Sequence, residues 1–392
     1  MKNQFILISF LLTFFFISCS KDEIKNTGDC TCKFTDVSAA HPKAQIFQSL
    51  IDKYTKKGLP GISMLIRNQQ GLWSGASGMA DIGNKVKMKD CHISKIASVT
   101  KLFVGALVMM LVEEGKLNLD DPISKWLSKD DIKDIQNADK VSIRQICNHT
   151  SGIYDVITDS GFYLEILNNQ GKFWKPDDLL KYVRGKDAYF DAGSDVKYSN
   201  TNLLLVVMVI EKATGRNHAE LLREKILNPL GLNDTYYHWH ESLPGFVAQG
   251  YYDLHNNGTI LNMSNYNTGS GNGYGGLYAT VHDMQIFIEK LFREKVLLSQ
   301  VSLNTMLTFT PEEEGQNRSF GITVVRDFMD RDSTQWAVGH RGRDLAYTSD
   351  LFYFPHKDIT LSYLVNYGTN GSSSLKQVFT DFRKELVDEL LK

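Results

Sequence analysis

The sequence predicts an α/β-class fold of the α+β kind. One antiparallel sheet is built from both chain ends and flanked by terminal helices, with a mainly helical domain inserted between its halves. Three observations carry this. "GISMLIRN" and "QQGLWSGASGMAD" read as two strands joined by a turn at residues 68–71. The chain turns strand-like again only near its end, in "RSFGITVVRD", "QWAVGHRG", "YTSDLFYFP" and "ITLSYLVNY". Between them lies a long, mostly helical stretch. An N-terminal hairpin must find partners for its edges, and the C-terminal strands are the only abundant supply. The expected sheet domain is therefore 41–97 with 311–392, and the expected helical domain is 98–310.

The first residues stand outside that fold. Lys2 precedes the apolar run from Phe5 to Ile17, which ends at Ser18-Cys19. A run of about 13 residues is too short to span a bilayer as a helix and fits the core of a signal peptide. The small residue before Cys19 resembles a lipoprotein processing site, although Phe16 stands where such sites usually carry Leu. Residues 1–19 then read as a signal peptide cleaved before Cys19, with lipid attached to that residue. Ser20, rather than Asp, points to the outer membrane, and "CSKDE" resembles a signal for the cell exterior. Residues 20–40 read as a polar tether.

Cysteine usage is sparse. Cys30 and Cys32 are too close to each other for an unstrained bridge. Bridges to Cys91 or Cys147 are compatible with an oxidising compartment, but the sequence assigns none. No Cys/His spacing resembles a zinc site, and His238-Trp239-His240-Glu241 lacks a further ligand. Neither a metal nor a cofactor is expected.

Along the body, "HPKAQIFQSLIDKYTKKGLPG" places Ile46, Leu50, Ile51 and Tyr54 at helical spacing before Gly58-Leu59-Pro60-Gly61. Further helices are expected at 100–115, 178–184, 201–213, 218–228 and 281–292, and "SSSLKQVFTDFRKELVDELLK" closes the chain as an amphipathic helix. With 392 residues the chain can bury a large core. Lys plus Arg (43) nearly balance Asp plus Glu (45), and no dense basic run exists, which argues against a nucleic-acid partner.

The chemistry concentrates where the helical part begins. S-x-x-K occurs four times, at Ser18–Lys21, Ser98–Lys101, Ser194–Lys197 and Ser373–Lys376. Only Ser98 follows a strand region and opens a long apolar helix, "TKLFVGALVMMLVEEG". Residues three apart share a helix face, so Lys101 can reach the Ser98 hydroxyl. The unpaired amides of the first turn favour a developing oxyanion. Packed among apolar neighbours, the lysine can be depressed in pKa and take a proton. Tyr198-Ser199-Asn200 and His340-Arg341-Gly342 follow in order, and each pattern occurs once.

S-x-x-K, Y-x-N and H-x-G in this order resemble the serine β-lactamase and penicillin-binding carboxypeptidase superfamily, in its class C-like branch with related esterases. "LDDPISKWL", "RQICNHTSGI", "YSNTNLLLVVMVIEKATG", "LNPLGLNDT", "GGLYATVHDMQIF" and "DLFYFP" extend the likeness over residues 45–370. The resemblance implies a β-lactamase/transpeptidase-like fold and a covalent acyl-enzyme. In that scheme Ser98 is the nucleophile, and Lys101 with Tyr198 moves its proton to the leaving group. Asn200 hydrogen-bonds Lys101 and the substrate amide, and His340 closes the hydrogen-bond network around Tyr198. The backbone amides of Ser98 and Arg343 form the oxyanion hole, and Gly342 keeps the strand open to substrate. His149 reads as a loop-shaping residue.

One departure stands out. Arg341 replaces the hydroxyl residue usual in the third motif, and Arg343 follows. Two arginines beside the cleft would grip a substrate carboxylate by bidentate forks, unless they pair with Asp344 or Asp350. The expected substrate is a small molecule or peptide-like amide, such as a D-alanyl peptide end. A class C-like β-lactamase and a carboxyl esterase are the alternatives within the enzyme class, and a non-hydrolytic acyl-binding surface protein is the alternative outside it. The membrane is a partner only through Cys19. Oligomeric state is not legible.

Overall fold

The structure is a computed structural model that describes residues 23–32, 38–312 and 318–392; the apolar leader and Cys19 lie outside them. The N-terminal helix α1 (Ala44–Lys56) leads into the hairpin β1 (Gly61–Asn68) and β2 (Gly71–Asp81), with the short β3 (Val86–Lys87) on its outer edge. The central helices are α2 (Thr100–Glu113), α3 (Asn200–Thr214) and α4 (Val281–Ile288). The chain then returns as β4 (Thr310–Pro311), β5 (Ser319–Phe320), β6 (Val325–Asp327), β7 (Ala337–Arg343), β8 (Thr348–Phe354) and β9 (Ile359–Val365). Helix α5 (Lys376–Leu391) ends it.

Among the described residues these nine strands form one antiparallel sheet in the order β3-β2-β1-β9-β8-β7-β6-β5-β4. The two chain ends meet at β1 and β9, in register from Ile62 opposite Val365 to Arg67 opposite Thr360. Side chains alternate across a strand, so β1 supplies both faces. Met64 and Ile66 join the layer formed with Phe47, Ile51, Tyr54, Phe382 and Leu386 of the terminal helices. Leu65 instead joins the larger core around α2, α3 and α4.

Helix α2 explains its apolar sequence by its position. Every residue from Thr100 to Met109 is buried, and Phe103 stacks on Phe287 of α4 with ring centroids 3.6 Å apart. A helix that is apolar all round belongs inside a core.

Several elements differ from expectation. The helix expected at 178–184 is one short segment, Pro176–Leu180. Those expected at 218–228 and 281–292 end in widened turns, where Asn228 N–H reaches the Arg223 carbonyl and Glu294 N–H the Glu289 carbonyl. "RSFGITVVRD" is broken between β5 and β6. There Ile322 N–H bonds the Met306 carbonyl and Thr323 N–H the Cys147 carbonyl, tying the sheet to the helical region. Residues 23–32 are not the free tether expected of 20–40. Ile24 is buried with Ile93, Val247 and Tyr347, Thr27 Oγ1 donates to the Val247 carbonyl at 2.7 Å, and Cys30 is bridged to Cys91.

Candidate active site

A small three-stranded sheet of Ser94–Lys95, Leu277–Ala279 and Tyr236–Tyr237 delivers the chain to Ser98. Ala97, just before it, holds a left-handed φ of 48° that only the surrounding structure can maintain, at a cost of about 1 kcal/mol. Ser98 sits in a tight turn, Ala97–Val99, that runs into α2.

Lys101 is fully buried. Its Nζ donates to three acceptors: Ser98 Oγ at 2.8 Å, Asn200 Oδ1 at 2.8 Å and the Tyr274 carbonyl at 2.7 Å. Two of these, a carbonyl and an amide oxygen, can only accept. When the ammonium loses a proton, its two remaining hydrogens satisfy them, and the lone pair is left facing the Ser98 hydroxyl. Burial pushes the lysine down to about 7, against the opposing charges of Asp155 and Asp344.

Burial raises the Tyr198 phenol well above the ordinary value, against the lowering effect of the neighbouring Ser98, so the hydroxyl stays protonated. The Lys101 Nζ lies 5.0 Å from its ring centroid. His149 packs on the Tyr198 ring at 4.5 Å, with Phe320 and His340 each at 6.0 Å. The structure thus gathers Ser98, Lys101, Tyr198 and Asn200 into one contact network. It also reveals three members not assigned from the sequence: the Tyr274 carbonyl, Asp155 behind Asn200, and His149 as a wall against Tyr198. The signal for the first was the Gly-rich run "GSGNGYGG". At Gly273 a Cβ would lie 2.4 Å from the Leu203 carbonyl of α3, so glycine is what lets this loop approach the site. Nothing local marked Asp155.

Four expectations need correction. His340 does not close a hydrogen-bond network around Tyr198: its Nδ1 bonds the Arg341 carbonyl at 2.6 Å, and its Nε2 has no partner among the described residues. Burial and the Lys101 charge push it down to about 3, which keeps the ring neutral. Gly342 serves packing rather than openness, since a Cβ there would meet Ser349 Oγ at 2.1 Å and the Ile96 carbonyl at 2.2 Å. Asn200 accepts from Lys101 as expected, but its Nδ2 is also turned to Asp155, at 3.1 and 3.3 Å, which leaves one amide hydrogen rather than two for the expected substrate contact.

The fourth concerns the arginines. The Arg341 guanidinium is already paired with Asp327, and Arg343 Nη1 with Asp350 at 2.7 Å, so neither fork is free for a substrate carboxylate. Arg383 of α5 bridges both acids, 2.6 Å from Asp350 and 2.9 Å from Asp327. Burial would raise Asp327, but Arg383 and Arg341 hold it well below the usual carboxylate range. These arginines still line the cleft of about 530 Å³ that contains Ser98, Tyr198, Asn200 and His340. As for the His238–Glu241 stretch, Glu241 pairs with Arg223 and His240 bonds the Gly271 carbonyl, both structural roles.

Known proteins share the fold that carries this site. A solved D-stereospecific amidohydrolase from a Streptomyces species is 26% identical, with a TM-score of 0.75 over 87% of this chain and 96% of that one. A D-amino acid amidase from Ochrobactrum anthropi SV3, solved with L-phenylalanine amide, is 25% identical, with a TM-score of 0.76 over 91% and 100%. A penicillin-binding protein of Bacillus subtilis is 26% identical over 309 residues, 75% of this chain and 65% of that protein. The Staphylococcus aureus protein flp is 26% identical over 225 residues, 57% of this chain; the chain thus matches only 44% of flp's length. The family model described as Beta-lactamase matches residues 47–377. With its helical region inserted between two halves of an antiparallel sheet, and a serine and a buried lysine at the junction, this chain belongs to the Beta-lactamase family.

Proposed function

We propose that the protein hydrolyses peptide-like amides through a covalent acyl-enzyme on Ser98, with D-configured peptide ends such as D-alanyl termini as the preferred substrate. The contact set of Lys101 carries this reading, because it leaves the neutral amine one direction in which to accept a proton, and that direction is Ser98. The Ser98 proton passes to Lys101 Nζ as Oγ bonds the carbonyl carbon. The resulting oxyanion is held by the backbone amides of Ser98 and Arg343. The C–N bond then breaks, and the departing nitrogen takes a proton through the Tyr198 hydroxyl. Water, giving its proton back through the same groups, releases the acid and restores Ser98.

The likeness to amidases acting on D-amino acid derivatives supports the amide and its configuration. The charge beside the cleft supports a free acid end: three arginines (341, 343, 383) face two aspartates (327, 350), leaving one positive charge in excess, and Lys376 adds to it. Incubation with benzylpenicillin and intact-protein mass measurement test the reading, with Ser98→Ala as control. A Ser98-dependent adduct is expected. Rapid loss of the drug without an adduct would favour a β-lactamase. Neither outcome, together with hydrolysis of simple esters, would favour an esterase.

We place the protein at the outer membrane, on a lipid at Cys19. Only Ser20, Lys21 and Asp22 then separate the anchor from the segment docked on the body. Fatty-acid labelling that survives Cys19→Ala would sink this.

A further inference from the structure

Behind Asn200 lies a buried carboxylate that the acyl transfer above does not use. Asp155 Oδ1 accepts the Asn200 backbone N–H at 2.9 Å, where α3 begins, and the Ile157 N–H at 3.3 Å. Both of its oxygens face Asn200 Nδ2. On the other side of the same amide, Oδ1 accepts from Lys101 Nζ at 2.8 Å. An asparagine amide is nearly symmetric in shape but not in chemistry: turned by half a rotation it would set its NH2 donors against the lysine ammonium. A carboxylate on the far side forbids that turn, because it can only accept.

We infer that Asp155 is a positioning residue, which fixes the Asn200 amide with Oδ1 toward Lys101 and so keeps Lys101 Nζ aimed at Ser98. The inference rests on the reading of Ser98 and Lys101 as the acyl-transfer pair. Asp155 never touches substrate; it acts through one side chain. Its placement at the first N–H of α3 also favours the ionised form, while burial pulls the other way, up to about 6.

The charged groups that act on Lys101 are Asp155 and Asp344, and the two buried imidazoles nearby, His149 and His340, are both pushed down toward the neutral form. Losing the Asp155 charge therefore moves the Lys101 titration to lower pH. Simple loosening of the site would admit water and move it the other way, toward an ordinary lysine. The sign of the shift separates a positioning role from a merely structural one.

The experiment follows the Lys101 side-chain signal by NMR in protein labelled at lysine, assigned with Lys101→Arg, alongside the rate of Ser98 acylation. Asp155→Asn is expected to lower the Lys101 titration and to slow acylation by about tenfold to a hundredfold. Exchanging the pair, Asp155→Asn with Asn200→Asp, puts a pure acceptor beside Lys101 again; it is expected to recover at least about tenfold of the rate and to raise the titration. An upward shift in the single variant, rates within about twofold of the parent, or an exchanged pair no faster than the single variant would each overturn the proposal. Should Asp155→Asn not fold, the exchanged pair must fold and acylate, and its failure counts against the proposal. The titration needs no substrate, so it stays readable even if no amide proves to acylate Ser98.

Discussion

Lys101 is where a single side chain decides the chemistry. A lysine 0% exposed, with two acceptors that cannot donate, has its free direction set by its neighbours. Below about pH 7 it is an ammonium and cannot take the Ser98 proton. Acylation is therefore expected to rise by about tenfold per pH unit up to that point and to level off above it, as stopped-flow acylation across pH would show. A flat profile from pH 5 to 9 would argue against the amine as base. The same shift carries a stability consequence. Between the folded value of about 7 and the ordinary 10.5 the unfolded chain holds the extra proton, so this group's destabilising effect is relieved as pH rises through that window. Lys101→Met is expected to slow acylation by several orders of magnitude. His340→Ala should cost less than Tyr198→Phe, because His340 bonds only the Arg341 carbonyl whereas the Tyr198 phenol is acted on by Ser98 itself and its ring lies 5.0 Å from Lys101 Nζ.

At the scale of elements, β7 and the N-terminal segment are the telling pieces. Ser349 of β8, paired with Gly342 of β7, lies so close to the chain entering Ser98 that its Oγ donates to the Ile96 carbonyl at 2.7 Å. Gly342→Ala would push a methyl into both groups and is expected to destabilise by about 1–3 kcal/mol, read as a lowered denaturation midpoint. A midpoint unchanged in that variant would mean the strand can move away freely. The segment 23–32 is held by the Cys30–Cys91 bridge, which spans 61 positions. Closing a loop of that length restricts the unfolded chain by about 4 kcal/mol, so Cys91→Ser is expected to cost a stability of that order in denaturant. An equal midpoint with and without reductant in the parent protein would contradict this.

Across the whole molecule, closure of the chain on itself is what makes the site. Helix α5 reaches back to α1 through Lys53–Glu385 and to the residue preceding α1 through Lys43–Glu389, and to the sheet through Arg383. Arg383 joins the acids of β6 and β8, which in turn hold Arg341 and Arg343 of β7. The last helix thereby steadies the strand that forms one wall of the cleft. Arg383→Met leaves two buried carboxylates short of a partner and is expected to cost about 3–5 kcal/mol, measured by thermal unfolding. A loss under about 1 kcal/mol would show that Arg341 and Arg343 suffice.

How much of this was legible follows from the range of the forces involved. The hairpin, the apolar helix α2 and the terminal helices announce themselves by local periodicity, and Ser98, Lys101, Tyr198 and Asn200 by short patterns with chemical meaning. That the two strand-rich ends share a sheet followed from the need to pair edges, an argument about the whole chain that sequence alone can support. What stayed hidden depends on which distant residues meet. Asp350, an open alternative as a partner for the arginines, holds Arg343, but nothing pointed to Asp327, which holds Arg341; Cys30 finds Cys91; and Ile24 buries a segment of polar composition. Asp155 and the Tyr274 carbonyl enter the site from loops 45 and 74 positions away from Asn200. The sequence determined the reacting groups, because their identities are local chemistry. Only the tertiary structure decided their partners, because a buried charge or amide is governed by whatever the fold brings within hydrogen-bond reach.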